Sequence, residues 1–259
     1  MGWASGHTAR LRAAASTAAA VKRWQLVLAG AGALALSAAG ARWLLADAGA
    51  RPSVCVGTPA NGSLERGWKL PRSGENFRAY GDVGWLAGRT HLHSRVHGVV
   101  VESYAKLARE RAGTRFVYGE TGWETGGEIA PHRTHRNGLS VDFMVPVLDL
   151  DGRRAELVTH AANKYGYAVE FDTNGRSKEG QRIDFESLAA HLAAIAAVAK
   201  QRGVGIAKVI FDPKLRAKLA ATERWSEIRT LPFSTKPAWV RHDEHYHVDF
   251  SVPCRSAKR

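Results

Sequence analysis

The chain has 259 residues, 45% hydrophobic and 24% charged, with 37 Lys and Arg against 24 Asp and Glu, a formal charge of +13. That is long and apolar enough for one globular domain and excludes general disorder. Two cysteines exclude a disulfide-dense mini-fold and any zinc site of four thiolates, so metal chemistry would fall to histidine and carboxylate.

The first fifty residues differ from the rest. Arg10, Arg12, Lys22 and Arg23 precede an uncharged, mostly apolar run from Trp24 to Ala41, which reads as a targeting segment outside the fold. At 1.5 Å per residue the run reaches about 27 Å, against a hydrocarbon core of about 30 Å. Residues 24–41 therefore fit either a signal peptide or a single inner-membrane anchor, and Ala48-Gly49-Ala50 offers a small-residue cleavage site. Either way, residues 51–259 are expected in the periplasm. Five Lys and Arg and one Asp fall in this leader, which leaves 32 basic against 23 acidic residues beyond it. A basic domain suits an acidic partner: nucleic acid, anionic lipid or a wall polymer carrying carboxylates. The positive charges form no stripe and do not alternate with aromatics, so nucleic acid is not expected. In an oxidising compartment a bond between Cys55 and Cys254 would be stable, and closing so long a loop would stabilise the fold by roughly 4 to 5 kcal/mol. The alternative is two unrelated buried thiols.

Residues 59–85, dense in Gly, Pro, Asn and Ser, read as an extended lead-in strapped across the surface. A helix is expected over 99–111, ending near Gly113, and a strand over 114–118. In the window 131–147, Asn137-Gly138 signals a turn. From there Leu139, Val141, Phe143 and Val145 alternate with Ser140 and Asp142, the pattern of a half-buried strand that turns Asp142 away from the core. His135 lies on the incoming arm and can fold back toward Asp142. Asp184 can cap a helix running through Leu188, Leu192, Ile195 and Val198 to Gly203, with Glu186 in its first turn and Lys200 and Arg202 in its last. Residues 206–211 read as a strand, followed by Asp212 as N-cap and Pro213 at the first helical position. In the window 241–254, Tyr246, Val248, Phe250 and Val252 form one face, and His245, His247, Asp249 and Ser251 the other. Strands and helices without strict alternation predict an α+β fold, with a small antiparallel sheet carrying the site and helices flanking it.

Five of the 11 histidines fall in these two windows. A catalytic zinc takes three protein ligands and keeps one open position. His135, Asp142 and one of His245 or His247 supply that set, the other histidine being free to handle protons. Each window alone is weak evidence; two polar strand faces with complementary donors are stronger. His91 and His93 form a competing pair, but without a strand pattern or a carboxylate nearby they read as structural histidines.

At these residues the sequence resembles the penicillin-insensitive murein endopeptidases, within the group of zinc peptidases that includes lysostaphin and the D-Ala-D-Ala metallopeptidases. The signature is a His, six residues, an Asp and a later His-x-His, here His135, Asp142 and His245 with His247. The resemblance runs from GTPANGSLERGWKLP through YGETGWETGGEIAPHRTHRNGLSVD to WVRHDEHYHVDFSVPC. It implies His135, Asp142 and His247 as ligands of zinc and His245 as catalytic base. It also brings His132 and His242 into the site, His132 either touching the metal or hydrogen-bonding substrate or the developing oxyanion. Some family members carry a second metal on an Asp and a His between the windows. No Asp-x-x-His occurs there, so one ion is expected. The implied reaction is hydrolysis of the D-Ala to meso-diaminopimelate amide in peptidoglycan cross-bridges. A D,D-carboxypeptidase with the same site and a non-catalytic wall-binding module are the competing readings.

Overall fold

The computed structural model describes residues 51–236 and 238–257, so the leader and its 24–41 segment lie outside the described residues. Among the described residues no helix is long and apolar enough to cross a membrane. In chain order the strands are β1 (Val54–Thr58), β2 (Asn61–Glu65), β3 (Trp68–Lys69), β4 (Phe77–Ala79), β5 (His91–Leu92), β6 (Phe116–Tyr118), β7 (Ser140–Met144), β8 (Val147–Leu148), β9 (Arg154–Ala155), β10 (Arg182–Ile183), β11 (Gly205–Ile210) and β12 (His245–Ser251). The helices are α1 (Asp82–Leu86), α2 (Ser94–Glu110), α3 (Phe185–Gln201), α4 (Pro213–Arg216) and α5 (Trp225–Ile228). The fold is α+β, as expected.

Its centre is a five-stranded sheet in the order β11-β12-β7-β6-β4. All its pairings are antiparallel except β4 with β6. The alternation in β7 and β12 turns Val141, Phe143, Tyr246, Val248 and Phe250 onto one face, where all are fully buried. The helices α2 and α3 pack together and seal that face. His191 of α3 sits within ring contact of Phe143, Phe116, Tyr104 and Tyr246. The other face carries Ser140, Asp142, His245, His247 and Asp249.

Local sequence explains most boundaries. The Asp184 carboxylate accepts the Ser187 N–H at 3.0 Å to start α3, and Asp212 does the same for Lys214 at 2.8 Å at the head of α4. The helix expected over 99–111 begins earlier, at Ser94, because His93 takes the capping position: its Nδ1 accepts the Arg95 N–H at 3.2 Å. His91 holds the Gly88 carbonyl at 2.8 Å through its own Nδ1, so both members of the competing pair do structural work. The lead-in departs from a surface strap. It supplies β2, which pairs with β1 just before it in a hairpin, and donates β4 to the edge of the central sheet, with Leu64, Leu70 and Phe77 buried. A strand of three residues is too short to reveal a period. Cys55 and Cys254 are disulfide-bonded, with Cα atoms 4.8 Å apart, and Arg255 bridges β1 in parallel.

Candidate metal centre

Register builds the site. Across the β7–β12 ladder His247 stands opposite Asp142 and Asp249 opposite Ser140, so the His and the carboxylate are direct cross-strand neighbours on one face. Because side chains alternate, a slip of one residue would send His247 into the core. His247 Nδ1 lies 2.8 Å from Asp142 Oδ1, and its Nε2 lies 2.8 Å from Asp249 Oδ1. Ser140 Oγ donates to the same Asp249 oxygen at 2.6 Å.

The arm before β7 delivers the other half. His135 has a left-handed backbone, φ 68°, an uncommon conformation for a side chain of this size, and its ring is fully buried. His135 Nδ1 lies 3.3 Å from the Thr121 carbonyl. A carbonyl only accepts, so Nδ1 carries the proton and Nε2 presents a lone pair. That Nε2 has no hydrogen-bond partner and lies 3.3 Å from Asp142 Oδ1. Two acceptors facing each other in a buried space are repulsive unless a cation joins them. The donor set therefore fits a divalent ion.

The remaining histidines ring the same carboxylate. His132 Nδ1 is 3.6 Å from Asp142 Oδ2, while its Nε2 is held by Glu120 Oε2 at 2.7 Å. His245 Nε2 is 3.9 Å from Asp142 Oδ1, and its Nδ1 is 2.8 Å from Glu244 Oε1. His242 donates Nδ1–H to the Val240 carbonyl at 3.0 Å, and its ring centroid lies 4.4 Å from that of His245. All six expected site residues thus converge. Three donor atoms, from His132, His135 and Asp142, lie within 4.8 Å of one another, a group that could hold a metal ion. His247, the third ligand implied by the resemblance, has both ring nitrogens on carboxylates instead.

Charge is arranged to match. Burial pushes the Asp142 carboxyl up, but the imidazoles around it, among them the hydrogen-bonded His247, together outweigh it and hold it well below the usual carboxylate range. Burial lowers His247, yet the hydrogen bonds to Asp142 and Asp249 raise it to about 10. His132 is likewise lowered by burial but raised overall by Glu120 and Asp142. In turn Glu120, raised by burial, is pulled to about 2 by hydrogen bonds from His132 and Arg89. His135 is lowered by burial against the pull of Asp142. Burial takes His245 and His242 to about 4, so both are neutral near pH 7.

Several supporting residues had no counterpart in the sequence reading. Glu120 is gripped by Arg89 at 2.6 and 2.7 Å and by Tyr80 Oη at 2.8 Å. Tyr167 Oη accepts the Glu120 N–H at 2.9 Å and donates to Asp142 Oδ2 at 3.0 Å. Both are remote from the histidine windows and carry no spacing signal. Asp249 shares the polar face of His247 and was already placed there by the two-residue period, whereas Glu244, one residue before His245, falls outside that period. A side chain at Gly119 would put a Cβ 2.5 Å from Tyr167 Oη and 2.9 Å from Asp142 Cβ, so this close approach requires glycine.

A buried carboxylate ringed by imidazoles on the polar face of an antiparallel sheet defines a candidate metal-dependent hydrolytic centre. The family model described as penicillin-insensitive murein endopeptidase matches residues 55–258, and the chain belongs to that family. Membership makes it a peptidase, a hydrolase whose substrate is peptidoglycan. No curated protein matches the chain.

Proposed function

We propose that this chain is a zinc-dependent murein D,D-endopeptidase that hydrolyses the D-Ala to meso-diaminopimelate amide of peptidoglycan cross-bridges in the periplasm. In this reading residues 1–50 form a signal peptide or membrane anchor and residues 51–259 the catalytic domain. The observation that carries it is the buried His135 Nε2 lone pair, without a partner and 3.3 Å from Asp142 Oδ1. We assign His135, Asp142 and His247 as ligands of one zinc ion. The His247 to Asp142 hydrogen bond supports this, since an ion that replaced the Nδ1 proton would find both groups already side by side. Zinc bound there supplies Lewis acidity, polarising a carbonyl and acidifying water.

The chain's own residues do the rest. The Glu244 carboxylate holds His245 by Nδ1 and leaves Nε2 toward Asp142. With its ring neutral, His245 is the base that accepts the proton of the attacking water and returns it to the leaving amine. His132, its pKa raised by Glu120 and Asp142, stands where a carbonyl oxygen would gain negative charge and can donate a hydrogen bond to it. His242, neutral and packed on His245, excludes water on that side. Asp249 and Ser140 fix the His247 ring, and Tyr167 fixes the second Asp142 oxygen.

The test is mass spectrometry of cross-linked muropeptides incubated with the purified full-length chain, with and without a chelator. Dimers should become monomers, chelation should stop this, and zinc should restore it. Release of terminal D-Ala alone would make the chain a D,D-carboxypeptidase. Cleavage that survives complete metal removal would refute the zinc assignment.

A further inference from the structure

The two histidine-bearing segments also meet at the rim. Arg133 follows His132, and Trp239 stands three residues before His242. The Arg133 guanidinium carbon lies 4.5 Å from the Trp239 ring centroid. Arg133 is exposed and Trp239 is 53% exposed. The other arginines around the centre are occupied. Arg89, also over a tryptophan, is spent on Glu120 and the Ala130 carbonyl. Arg136 pairs with Glu128, and Arg241 with Glu170 and Asp243. Among the described residues Arg133 has no carboxylate or carbonyl partner, so its five N–H groups are open.

A guanidinium lying on an indole keeps its hydrogen-bonding edge in the plane while the ring restrains the side chain. Such a fork suits two parallel bonds to a carboxylate, with part of the ordering cost already met. Arg133 directly follows His132 and Trp239 stands close in the chain to His242, so the pair neighbours the centre across which a peptide would lie.

We infer that Arg133, seated on Trp239, binds a carboxylate of the peptide substrate beside the scissile amide and makes the enzyme selective for cross-links in which that carboxylate is free. This rests on the murein-peptidase reading above. Two carboxylates have the right chemistry, that of the diaminopimelate whose amine is released and that of a terminal D-Ala.

The test is steady-state cleavage by the full-length chain of three cross-linked muropeptide dimers: unmodified, amidated at the diaminopimelate carboxylate, and amidated at the terminal D-Ala. On the unmodified dimer, Arg133→Ala should raise KM about tenfold, as expected for loss of a charge-assisted pair at a partly solvated rim, with kcat retained. Amidating the recognised carboxylate should raise the wild-type KM equally and abolish any further effect of Arg133→Ala, which identifies the carboxylate. Trp239→Ala should raise KM by a smaller factor, Trp239→Phe should restore most of it, and the double variant should match Arg133→Ala. If Arg133→Ala leaves KM unchanged, or raises it equally on all three dimers while the wild type cleaves them, the inference is overturned. If the wild type cleaves none of them, the murein reading itself fails and this inference with it.

Discussion

One histidine that does no chemistry should contribute to the loss of stability in acid. His191 of α3 is fully buried, its centroid 4.8 Å from those of Tyr104 and Phe143. Nδ1 bonds Tyr246 Oη, and Nε2 has no partner. Burial pushes its pKa down to about 3 from an ordinary 6.5. The folded protein therefore keeps the ring neutral, while the unfolded chain takes up a proton below pH 6.5. Stability is full above that pH and falls as pH drops toward 3, by about 1.4 kcal/mol per unit. Two units below the unfolded pKa, near pH 4.5, the loss is about 3 kcal/mol. His191→Phe keeps an aromatic ring in the slot and removes the titration. It forfeits the Tyr246 bond, costing about 1 kcal/mol at neutral pH. Urea unfolding of both proteins, followed by tryptophan fluorescence across this range, should show the variant slightly weaker at neutral pH and clearly stronger near pH 4.5. Other acid-sensitive groups cancel in the difference. Curves that stay parallel across the range would show that His191 does not couple proton uptake to unfolding.

The Cys55–Cys254 bond closes a loop with a sequence separation of 199, for which the chain-entropy model gives about 5 kcal/mol. Cys55→Ala with Cys254→Ala should lower the urea midpoint by up to that equivalent, and unreduced wild type unfolded in denaturant should contain no free thiol. Gly119→Ala should leave the chain folded by circular dichroism but lower kcat about a hundredfold, since displacing Tyr167 and Asp142 by part of an ångström misplaces the centre. His245→Ala should lower kcat by about 10² to 10⁴ while keeping the bound ion, the signature of a base beside the metal. Loss of the ion in that variant would make His245 a ligand.

Where the sequence was readable, a period made it so. The two-residue alternation in 139–145 and 245–252 placed Asp142, His245, His247 and Asp249 on one face, and β7 and β12 pair in that register. Helix α3 carried its own cap at Asp184. Period and spacing are local, and what escaped them is not. The helix start at Ser94 depends on a histidine standing in for the usual Ser, Thr or Asp cap. Strand β4 exists only because β6 is beside it. Glu120 and Tyr167 reach Asp142 through tertiary contacts across 22 and 25 residues of sequence. His135 owes its inward lone pair to the Thr121 carbonyl, a bond no spacing announces.

In the proposed centre Asp142, joined by imidazoles from both segments, holds one divalent ion. Its most direct test is titration of the metal-free full-length chain with zinc, reading bound metal per chain in the wild type and in Asp142→Ala. The expected result is one zinc per wild-type chain and none in a variant that remains folded by circular dichroism. A wild type that takes up no zinc, or an Asp142→Ala protein that binds it as well as the wild type, would contradict it.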